Sequence, residues 1–154
     1  MEPYRLFFPA GLAFGVAGVL VWGLFGLWAL FDIGHVSVYP SAVHADLMAG
    51  GFLFCFITGF LMTAVPRFFG AFHAGATEKV LGLAVAAGLF AAGFTENRTV
   101  FHAVSVLGYV LLGIFYLRRL WARTFKHPPE MNFVALGLVF GWLVVVAVVV
   151  ASRR

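Results

Sequence analysis

Leu6 to Phe31 runs for 26 residues without a charged side chain. In a bilayer such a run can satisfy its backbone N–H and C=O groups only by folding on itself as a helix. At 1.5 Å per residue it is also long enough to cross the hydrocarbon layer. The rest of the chain repeats the pattern. Of 154 residues, 63% are hydrophobic and only 10% are charged, and the mean hydropathy is +1.03. A soluble surface needs roughly 25% charged residues, so this chain belongs among membrane proteins. The expected fold is an all-α, polytopic transmembrane bundle in a single membrane domain, 1–154. Its five spans fall at about 6–31, 42–65, 78–94, 99–117 and 132–151. The run after Met1 exceeds the apolar core of a signal peptide, so it reads as a retained first helix.

Polar residues mark the joints. Asp32 to Tyr39 reads as a loop, and Ser41 as a cap for the second helix. Pro66 is expected to end that helix. Thr77 is placed to cap the third, and Glu96-Asn97-Arg98 forms a tight turn. The net charge of +4 comes from short basic clusters between spans and does not point to nucleic acid. With the N-terminus in the cytoplasm, Arg5, Arg67, Lys79, Arg118, Arg119, Arg123 and Lys126 fall inside. Only Arg98, Arg153 and Arg154 fall outside, in line with the positive-inside rule.

That orientation sorts the five histidines. His35, His44 and His102 lie at the outer end, His73 and His127 at the inner. In the second helix His44, Met48, Gly51, Cys55, Thr58 and Met62 recur at three and four residues and so share one face. In the fourth, His102, Ser105, Tyr109, Gly113 and Tyr116 do the same. The first helix carries a glycine face at Gly11, Gly15, Gly18 and Gly26, with Trp22 between. Such faces serve either as close-packed helix seams or as a cleft for a flat group.

His44 and His102 are therefore candidate metal ligands and axial ligands of a haem held between the second and fourth helices near the outer face. Met48 and Gly51 would line its cleft. Arg98, Asp46 or Glu96 would meet its propionates or orient an imidazole. Copper or zinc would need about three ligands, drawn from His35, His44, His102 and Asp46. No HxxxH or HExxH pair is present. The single cysteine, Cys55, excludes an intrachain disulfide and a CxxC site. No Ser-His-Asp, HExxH or GxSxG pattern suggests a hydrolase. No repeated broken-helix pair suggests a transporter.

The second helix also carries a family resemblance. His44, Ala45, Met48, Gly51, Phe52, Gly59, Phe60, Leu61, Thr63, Ala64, Val65 and Pro66 resemble the pattern of the NnrS family. The opening Pro3-Tyr4-Arg5-Leu6-Phe7-Phe8-Pro9 looks like the start of a related branch, and Arg98 sits where the family tends to place a Gly-Arg. The resemblance implies a bacterial inner-membrane protein containing haem and copper and linked to protection from nitric oxide. It carries over His44 as a ligand. His102 rests on topology alone. Asp46 stands where the family often has a second histidine, and Leu47 where it has glutamate. The resemblance covers nearly all of this chain but less than half of the family fold, which suits a short relative, an assembling subunit or a truncated member. Two functions remain open. One is a haem protein for redox or nitric-oxide chemistry. The other is a cofactor-free membrane subunit or assembly module that forms homo-oligomers, or joins a membrane partner, through its glycine faces.

Overall fold

The computed structural model describes residues 1–31, 40–95, 97–126 and 128–151. His35, Glu96 and His127, with the 32–39 loop and the 152–154 end, lie outside the described residues. Within them there are helices and no strands. We label the helices α1 (Tyr4–Phe31), α2 (Pro40–Phe69), α3 (Ala76–Gly93), α4 (Arg98–Trp121) and α5 (Glu130–Ala151). All five are long and apolar enough to span a membrane.

Helix α2 is the hub. It packs along α1 on one side and touches α3 and α4 on the others, while α5 leans chiefly on α4. The buried core includes Phe7, Phe14, Leu47, Phe54, Phe69 and Phe115. Apolar side chains on the outward faces of α1 and α5, such as Leu20, Leu24, Phe133 and Val144, are exposed. In lipid these faces need no protein partner, because the surrounding tails are as apolar as they are.

Four local features differ from the sequence expectations. First, α2 is not uniform: Asp46–Phe52 winds as a π-helix between α-helical Pro40–Ala45 and Leu53–Phe69. Second, Pro66 does not end α2. The helix continues to Phe69 and stops at Gly70, whose φ of 59° is left-handed. The Ala71 N–H donates to Pro66 O at 2.9 Å and the Gly70 N–H to Arg67 O at 3.4 Å, a Schellman closure. A proline in the last turns is tolerated, since the chain there forgoes only one ladder bond and Pro66 still serves as the acceptor that closes the helix. Third, Thr77 does not cap α3. The cap is Gly75, whose backbone N–H donates to Glu78 Oε2 at 2.9 Å. Fourth, Ser41 lies inside the first turn of α2, which begins at Pro40, a position where a proline loses nothing.

Candidate functional site

The polar stripe of α2 faces α1. The His44 ring nitrogen Nδ1 lies 3.0 Å from the Gly18 carbonyl oxygen, and a Cβ at Gly18 would come within 3.3 Å of Met48 Sδ. The Phe14 ring fills the notch at Gly51 so fully that a Cβ there would overlap it. Gly11 lies against Cys55 and Phe56, and Gly15 against Phe52. Gly11, Gly15 and Gly18 of α1 and the His44–Cys55 part of the α2 stripe thus form one interhelical seam. Gly51 and Met48 belong to that seam, and Phe14 takes the space that a flat group would need beside Gly51.

His102 lies on another side of α2. It lines an open-sided cavity of about 450 Å³ between the π-helical part of α2, α4 and α5, with Leu89 of α3 also in the lining. That volume falls within the usual range for a ligand site. Asp46, Gly50, Phe101, Ser105 and Tyr109 share the lining, with Val144 and Val145 of α5 opposite. His44 is not among the lining residues, so the structure does not bring His44 and His102 into one cavity. The π-helical winding helps set this geometry: an i→i+5 turn widens the helix where Asp46 and Gly50 meet α4.

An ion pair stands at the end of this cavity where α4 begins. The Arg98 guanidinium Nη1 donates to Asp46 Oδ2 and, at 3.3 Å, to the Ala42 carbonyl. The Asp46 side chain is only 16% exposed and that of Arg98 28%, so the pair is partly desolvated and each charge needs the other. His102 follows Arg98 by one helical turn. The Ser105 hydroxyl donates to Phe101 O at 2.9 Å and is satisfied within its own helix. The His102 imidazole makes no hydrogen bond to a described residue and meets the edge of Phe101. Tyr109 borders this cavity and also a second, apolar one of about 530 Å³ lined by Phe56, Phe60, Leu61 and Leu138.

The donor set fits haem in part. One imidazole, His102, faces a mostly apolar cleft, and a second imidazole does not reach it from α2. Arg98 is engaged by Asp46 rather than left free for a propionate. For copper or zinc the set is thinner: among the described residues no three His, Cys, Asp or Glu side chains gather as metal ligands.

The sequence pattern of the family described as NnrS protein matches residues 1–153. The chain belongs to the NnrS family. No curated protein and no solved structure matches it. The His44 position that carries the family likeness thus sits in the α1–α2 seam of this NnrS chain, while the largely apolar cavity holds His102. At the other end of the bundle is a residue the sequence reading placed among exposed loop charges. Arg119 is fully buried, bonds both oxygens of Glu78 at 2.5 Å, and stacks between Phe72 and Phe115. The signal available was Glu78 itself, the lone carboxylate at the start of an apolar helix, which needs a cation once α3 packs on α4.

Proposed function

We propose that this NnrS-family membrane protein binds haem in the cavity between α2, α4 and α5, with His102 as the iron ligand, and serves redox or nitric-oxide-related chemistry. The observation that carries the reading is the His102 imidazole, which is without a described hydrogen-bond partner and borders a cavity walled by Phe54, Leu89, Phe101 and Val145. Bound haem would supply an iron able to exchange an electron or take a diatomic ligand such as nitric oxide. The chain's own residues do the rest. The lining is mostly apolar, and the Asp46–Arg98 pair fixes the start of α4 against α2 and so holds His102 at its depth. His44 has its Nδ1 committed to the Gly18 carbonyl. That arrangement leaves Nε2 as its remaining ring nitrogen and keeps His44 in the α1–α2 seam rather than at the opposite face of the same haem.

Protein purified in detergent from haem-replete cells is expected to show a haem absorption band that His102→Ala removes and His44→Ala leaves in place. A colourless preparation with no iron overturns the reading.

The cofactor-free reading draws on Gly23 and Gly26 of α1, which have open space before them. Gly11, Gly15 and Gly18 are already covered by α2 and offer no free face. That reading expects defined oligomers and no effect of either histidine substitution on them.

A further inference from the structure

We propose that the end of the bundle carrying the N-terminus holds a binding site for the phosphate of an anionic lipid, centred on Arg5 and Lys79. A cavity of about 390 Å³ lies there between the starts of α1 and α3 and the Met62 region of α2, lined by Met1, Glu2, Arg5, His73, Ala74 and Lys79.

The charges around it are unevenly paired: Glu2 also lines the recess and acts electrostatically on Arg5, but forms its ion pair elsewhere. Glu78, the sequence neighbour of Lys79, is taken up by Arg118 at 3.0 Å and by Arg119. Glu2 reaches away to Arg67 at 3.4 Å. Among the described residues neither Arg5 nor Lys79 pairs with a carboxylate. Lys79 is half-buried and its Nζ donates only to the Met1 carbonyl, at 3.3 Å. Arg5 Nε donates to the Tyr4 hydroxyl at 3.2 Å, which keeps the guanidinium at the aromatic edge of the span.

The wall is preformed. Arg119 Nη2 donates to the His73 carbonyl at 3.3 Å, and Glu78 holds the Gly75 N–H, so the α2–α3 connection is tied down. The positive ends of the α1 and α3 dipoles add to the field. Two cations that form no direct ion pair with a carboxylate, in a polar recess where two spans begin, match a lipid phosphodiester, which lies at that depth of the bilayer. The same phosphate chemistry occurs in the free ion. A lipid is favoured because α1 and α3, whose starts line the recess, carry exposed apolar side chains such as Leu12 and Val80, along which acyl chains would lie.

The test is native mass spectrometry of the full chain in mild detergent with phosphatidylglycerol, with phosphatidylcholine of the same acyl chains, or with inorganic phosphate. Phosphatidylglycerol should be retained over phosphatidylcholine. Arg5→Gln with Lys79→Gln should lower that retention about twenty-five-fold, each cation being worth roughly a factor of five. Arg123→Gln with Lys126→Gln, at the same end but outside the recess, should change it little. Should the first pair misfold, Ala74→Glu must still abolish retention and the charge-keeping Arg5→Lys must preserve it. Equal loss in the two neutralised pairs, equal retention of the two lipids, or retention that survives Ala74→Glu overturns the proposal. Binding of inorganic phosphate without any lipid preference identifies the free ion as the occupant and also overturns it.

Discussion

At the scale of single residues, the polar groups of α2 and α4 are set by contacts between helices: His44 lies against the Gly18 carbonyl and Asp46 against Arg98. Spacing placed His44, Met48 and Gly51 on one face, and they do share one, turned toward Gly18 and Phe14 of α1. Nothing in the spacing of α2 alone says which helix that face meets. The same holds for Asp46 and Arg98, which orientation placed at one end and the structure joins as an ion pair. Arg119 was hidden because it follows Arg118 in a basic run that reads as solvated charge, yet helix α4 extends through it and buries it completely. Removing one partner of a buried pair strands the other charge, at a cost of about 3–5 kcal/mol. Arg119→Ala is therefore expected to lower the thermal unfolding temperature in detergent strongly. Arg118→Ala, whose side chain is 54% exposed, should lower it much less. Equal shifts for the two would contradict the burial-based ranking.

At the scale of elements, the five helices were legible because apolar length and polar joints are local signals. Their ends were less so. Pro66 was read as a stop because proline disfavours helix before it, but the stop is Gly70, whose left-handed φ only a glycine adopts cheaply. A Cβ at Gly70 would also overlap Thr124 Oγ1, the group that ties α4 to the end of α2 by donating to Gly70 O at 2.8 Å. Gly70→Ala should cost about 1–2 kcal/mol of stability, while Pro66→Ala should be near neutral or better. Denaturation of the two variants side by side distinguishes the stops, and a larger loss from Pro66→Ala would restore proline to that role. The π-helical Asp46–Phe52 segment was not legible. Its only trace is Gly50-Gly51 inside a helical run, and glycine pairs mark bends without specifying the winding.

At the scale of the whole molecule, composition alone gave the membrane class, and the family match over residues 1–153 agrees with the likeness seen in α2. How the spans group around α2 was beyond sequence reading, because lipid-facing and protein-facing apolar residues look alike. Orientation is testable through the chain's single cysteine, since Cys55 is fully buried and silent to labelling. A cysteine introduced at Asn97 should react with an impermeant reagent in intact cells, and one at Lys126 only after permeabilisation. The reverse pattern would invert the topology and place the His102 cavity at the inner end.

The cavity between α2, α4 and α5 is the proposed haem site. The most direct measurement is the absorption spectrum, with iron and copper analysis, of wild-type protein beside His102→Ala and His44→Ala. The expected result is an iron-containing haem band that is lost with His102→Ala and kept with His44→Ala. A band absent from wild type, or one that depends on His44 and ignores His102, contradicts it.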